Sequence, residues 1–139
     1  MNTMASAMKR FKLVFFVPPS SLSQCKDAIF AAGADTPWVL YASSDGRGRR
    51  LMQDYYTGRY PGPGNYTECC WTSLGTGQFR PGDTAKPHLG KVGEVEQVEE
   101  VRVETLCMGE DVVKKAVEAL KSAHPYEEPA YEVYKLEDY

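Results

Sequence analysis

Lys12-Leu13-Val14-Phe15-Phe16-Val17, closed by Pro18-Pro19, is the most informative run in the chain. Val and Phe at successive positions favour extended backbone, and apolar residues on both faces place a strand in the middle of a sheet. The two prolines end it, because proline brings no N–H to a ladder. Directly afterwards Ser21-x-x-Gln24 has the form of a capping box. Leu22, Cys25, Ile29 and Ala32 then recur at helical spacing, and Gly33 suits the position just past a helix end. A central strand therefore feeds an amphipathic helix over residues 21–32.

Downstream, residues 66–74 read as a second strand. Gly75-Thr76-Gly77-Gln78-Phe79-Arg80-Pro81-Gly82 reads as a glycine-rich turn, and loop continues to Gly93. Residues 95–107 read as a third strand. Glu100, Arg102 and Glu104 face one way and Val101, Val103 and Thr105 the other. Valines at 92, 95, 98 and 101 break that period and predict a bulge or bend near 97–99. Val113, Ala116, Val117 and Leu120 mark a second helix over 111–123, with Asp111 as its cap and Lys121 near the negative end of its dipole. His124-Pro125 stops it, and residues 130–136 form a fourth strand.

The order βαββαβ predicts an α+β fold of the ferredoxin-like type: a four-stranded antiparallel sheet with two helices on one face. The uncovered face calls for a homo-oligomer. Residues 1–10 read as a flexible tail, and 11–139 as a single domain interrupted by a long inserted loop at about 35–63. Arg47, Arg49, Arg50 and Arg59 with Tyr41, Tyr55, Tyr56 and Tyr60 make that insertion basic and aromatic. Such a mix packs on its own domain, stacks nucleotides or recruits a protein partner.

Composition narrows the function classes. At 139 residues, 42% hydrophobic and 25% charged, the chain has the make-up of one globular domain. A net charge of −3 argues against nucleic acid as the partner. No apolar run reaches membrane-span length, and the five apolar residues after Met8-Lys9-Arg10 are short for a signal peptide. Cys25, Cys69, Cys70 and Cys107 form no CxxC pair, and they read as reduced thiols of a cytoplasmic protein.

Three strings carry a family resemblance: Ala32-Gly33-Ala34 with Gly64-Asn65-Tyr66 and Gly75–Gly82; Gly93-x-Val95-Glu96-x-Val98-Glu99-Glu100-Val101-Arg102-x-Glu104; and His124-Pro125-Tyr126-Glu127-Glu128-Pro129-Ala130-Tyr131. Together they resemble the YqfO-type insert domain of the Nif-three-like family in its stand-alone form. That domain is similar in fold to the PII signalling proteins and CutA, which are trimers, so the resemblance implies a PII/CutA-like trimer. It also implies that the two-metal centre of the larger members lies in flanking domains this chain does not contain. Hence no enzyme activity and no cofactor are expected. Stand-alone members run almost directly from Ala-Gly-Ala to Gly-Asn-Tyr, so the 35–63 insertion is particular to this chain.

Two constellations could carry function. In the 75–82 segment, Gly75, Gly77, Gln78, Phe79 and Arg80 would offer backbone donors and one cation to a small anion or nucleotide; alternatively the segment is a tight connection. The missing GK[ST] ending excludes a phosphate-binding Walker loop. In the 124–129 hexapeptide, Tyr126 would wall a pocket while Glu127 and Glu128 orient it. His124 with Glu127, Glu128 and a second imidazole, His88 of a neighbouring subunit, would be a divalent-metal set of the CutA kind across the trimer. The bland reading is a rigid helix-to-strand turn. No nucleophile, base and orienter are aligned. The expected function is sensing of a small molecule or anion, or partner binding, at subunit clefts.

Overall fold

The structure, a computed structural model, describes residues 9–35, 66–137 and 139. The run 12–17 does form a central strand, β1 (Arg10–Val17), lengthened at its start to take in Arg10. A single 3-10 turn, Pro19–Ser21, leads into α1 (Leu22–Ala31). Then come β2 (Trp71–Phe79), β3 (Glu96–Met108), α2 (Glu110–Ala123) and β4 (Tyr131–Leu136). The sheet order is β2-β3-β1-β4 and every neighbouring pair is antiparallel. This is the expected α+β, ferredoxin-like arrangement. The tail before Lys9 and all of the insertion but Asp35, with its arginines and tyrosines, lie outside the described residues.

Alternation on the two central strands sorts the faces. Phe11, Leu13, Phe15 and Val17 point to the helices, as do Val101, Val103 and Cys107, which lie opposite Val17, Phe15 and Phe11. Cys25 and Ile29 of α1 and Val112, Val113, Ala116 and Leu120 of α2 complete this core. The other face carries Phe16 and Val14 of β1 and the Arg102–Glu104 pair of β3. The Arg102 guanidinium lies 2.9 Å from Glu104 and 5.7 Å from the centre of the Phe16 ring. Trp71 opposes Glu104 on this face and is 58% exposed.

Four local expectations fail, each for a visible reason. The capping box does not form: Ser21 makes no side-chain cap bond, and the Gln24 amide reaches across to donate to the Ala123 carbonyl at 2.7 Å, tying α1 to the end of α2. The cap of α2 is Gly109, not Asp111; Asp111 lies in the first turn, where its charge still favours the dipole. The register of β2 against β3 runs unbroken from Trp71↔Glu104 to Phe79↔Glu96, so residues 97–99 carry no bulge. The valine spacing there reflects exposure rather than a bend, since Val95 lies outside the strand and is exposed. Most consequentially, the strand expected at 66–74 is shifted to 71–79, so Gly75 to Phe79 are extended strand and not a turn.

The two ends of the insertion are pinned together. The Cys69 N–H donates to Asp35 Oδ2 at 2.6 Å, the Glu68 N–H to the Asp35 carbonyl at 3.3 Å, and the Asp35 N–H to the Leu106 carbonyl at 2.8 Å. Asp35 and Glu68 both adopt positive φ, 46° and 58°, a conformation that Asp and Asn tolerate best among ordinary residues. Asp35→Ala removes a buried, charge-assisted acceptor and keeps the backbone strain. It is expected to lower stability by about 1–3 kcal/mol in a denaturant titration, and Asp35→Asn by less. Equal effects of the two would refute the role of the carboxylate.

Candidate functional site

At the far end of the sheet, the last residues of β2, the loop that follows and the turn between α2 and β4 enclose a cleft of about 320 Å³. It brings together two segments that are far apart in sequence. Gly77, Gln78, Phe79 and Arg80 line one side, and Tyr126, Glu127 and Glu128 the other; His88, from the loop, also contributes. Gly75 and His124 are not part of the lining.

Tyr126 is the centre of the cleft. Its ring packs against Phe79, with centroids 6.1 Å apart, against His88 at 6.1 Å and against His124 at 4.9 Å, all tilted. Its hydroxyl is buried and has no hydrogen-bond partner among the described residues. Burial, together with the nearby Glu100 carboxylate, raises the phenol above its ordinary pKa. The Lys86 N–H donates to Glu127 Oε2 at 2.9 Å, which fastens the loop to the turn.

His124 does a different job from the one expected. It is buried, its Nε2 lies 2.7 Å from the Phe16 carbonyl, and its Nδ1 accepts from the Tyr126 N–H at 3.0 Å. An Nδ1 that accepts has no proton, so Nε2–H is the donor. Both ring nitrogens are engaged, and neither offers a lone pair to a metal. Burial lowers the imidazole's pKa, the Phe16 bond opposes that shift, and His88 adds to it weakly. The set His124, Glu127, Glu128 and His88 is therefore not assembled within the chain. Among the described residues no three His, Cys, Asp or Glu side chains converge on a metal position.

The donor nest expected at 75–82 is absent for a related reason. In an extended strand successive N–H groups point to opposite edges, so they cannot converge on one anion. Gly77 serves close approach instead. A Cβ there would stand 2.6 Å from the Glu100 carboxyl, so the missing side chain is what lets Glu100 lie across β2. Glu100 is half-buried, and desolvation pushes its carboxyl above the ordinary range. The alternation of the third strand put Glu100 on one face with Arg102 and Glu104 and did not mark it as a lining residue. The signal was available in the register: Glu100 stands opposite Gly75 and beside Gly77, which leaves its side chain room.

The four cysteines are free. Burial pushes the Cys25 thiol up to about 11, and burial with the Asp35 charge pushes Cys107 to about 12, so neither is a ready nucleophile. No helix among the described residues is long and apolar enough to cross a membrane.

Comparison with known proteins follows the same segments. No protein-family model matches the chain. The chain is 36% identical over 126 residues to the GTP cyclohydrolase 1 type 2 homolog of Halalkalibacterium halodurans, covering 91% of this chain and 27% of that protein. It superposes on the crystal structure of a Bacillus cereus protein related to NIF3 with a TM-score of 0.66 at 31% identity, over 96% of this chain and 27% of that one. The chain is a homologue of one segment of the NIF3-related proteins. It spans about a quarter of the length of those two relatives. The three motif strings had pointed to this NIF3 kinship. The divalent ion tolerance protein CutA1 from Ehrlichia chaffeensis shares the fold at 12% identity, with a TM-score of 0.56 over 96% of this chain and 87% of that one.

Proposed function

We propose that this NIF3-related segment is a non-catalytic binding module that works as a cytoplasmic homotrimer and holds a small molecule in the cleft around Tyr126. The observation that carries the reading is the buried, unpartnered Tyr126 hydroxyl in a cleft built from two distant segments. A buried polar atom without a partner is costly, and a bound molecule would supply the missing hydrogen bond. The volume is at the lower end of small-molecule sites. His124, the imidazole nearest to a general base, is held in place by two hydrogen bonds, which favours binding over catalysis. The trimer is supported by the CutA1-like fold and by the exposed Trp71 and Tyr134, both on the sheet face away from the helices. The cytoplasm is supported by the four free thiols.

Native mass spectrometry of the purified protein tests both halves of the proposal. The expected result is a trimer mass with a small adduct that gentle activation removes. A monomer would overturn the assembly. A protein with Tyr126→Phe that still carries the same adduct in the same amount would overturn the assignment of the cleft.

A further inference from the structure

We propose that the cleft selects a small organic cation, an ammonium or guanidinium group carried on an apolar or aromatic body. This rests on the cleft being the ligand site and adds the chemical class of its occupant.

The lining carries three carboxylates, Glu100, Glu127 and Glu128, against one guanidinium, Arg80. Glu127 is partly satisfied by the Lys86 N–H, whereas Glu100, whose side chain lies across Gly77, makes no hydrogen bond or ion pair among the described residues. Its raised pKa shows the cost of holding that charge away from water, a cost a neighbouring cation would relieve. The Tyr126 hydroxyl adds an oxygen that can accept an N–H. The walls suit the remainder of such a ligand. Phe79, Tyr126 and His88 pack as tilted rings, whose π faces attract cations, and Pro81, Pro87 and Leu89 are apolar. An anion would meet three like charges here and, with Gly75 to Phe79 in a strand, no converging backbone donors.

The test is titration of the full chain, followed by amide NMR, with 2-phenylethylamine and with its charge-reversed counterpart 3-phenylpropanoate. The expected result is that the amine shifts the amides of Gly77, Phe79 and Tyr126, whereas the carboxylate does not. Glu100→Gln should weaken the amine about tenfold or more, since it removes the charge and keeps the shape. Gly77→Ala should weaken it too, because the new Cβ pushes the Glu100 carboxyl aside, while the spectrum stays folded. Unchanged amine affinity in Glu100→Gln would overturn the cation assignment. So would binding of 3-phenylpropanoate at the same amides, and in that case the cleft would remain a ligand site of the opposite preference. If neither probe moves those amides, the cleft itself loses its standing as the binding site.

Discussion

Phe15→Ala is expected to lower the unfolding free energy by about 3–5 kcal/mol. Phe15 is fully buried at the centre of β1, opposite Val103 on one side and Tyr131 on the other. Its ring is among the largest fully buried side chains, and truncation leaves a cavity that neighbours on two strands and two helices cannot collapse to fill. Against a total stability of about 5–15 kcal/mol for a domain, that is a large fraction. Phe16, one position along, points to the opposite face and is only partly buried beneath Arg102. Phe16→Ala should therefore cost clearly less. Urea denaturation of the two variants checks this through the shift in midpoint at constant slope. Equal costs would mean that the two faces of β1 have been assigned wrongly.

His124→Ala carries the second large effect. It removes the donor to the Phe16 carbonyl and the acceptor for the Tyr126 N–H. Each group left buried without a partner costs roughly 1–3 kcal/mol, so for the two groups the total loss is about 2–6 kcal/mol. The loss depends on pH in a defined direction. Burial depresses the imidazole pKa in the folded chain, so the unfolded chain takes up the proton first. The contribution of neutral His124 is fully present above its unfolded pKa of about 6.5 and is lost as pH falls from there through the lower folded value. The difference in melting temperature between wild type and His124→Ala should thus be widest near pH 8 and narrow on acidification. A difference that widens toward acid pH would show that His124 is charged in the fold.

The pattern of what the chain disclosed follows from the range of the forces involved. The central strand, both helices and the βαββαβ order were legible because they rest on local periodicity: Phe11, Leu13, Phe15 and Val17 on one face, Val113, Ala116 and Leu120 on one stripe. The limits of β2 were not, because an edge strand is set by its partner. Gly75 and Gly77 look like a turn in isolation and become strand only when β3 supplies the ladder. Most of the cleft was legible for a different reason. Phe79, Arg80, Tyr126, Glu127 and Glu128 stood out as unusual segments, and the fold then joined them. Glu100 was hidden because its role depends on a cross-strand neighbour. His124 was singled out correctly as special, yet its nitrogens face the backbone, a fact only the third dimension records.

The pairing of Asp35 with Glu68 and Cys69 makes this domain a natural graft point. Asp35 and the Glu68–Cys69 backbone meet through hydrogen bonds, so whatever lies between them in sequence is tethered at both ends to the same spot. Closing a loop of twice the length costs only about 0.6 kcal/mol more in entropy. Evolution can then lengthen, shorten or replace the guest segment while the host sheet, its core and its cleft at the opposite end of β2 keep their shape.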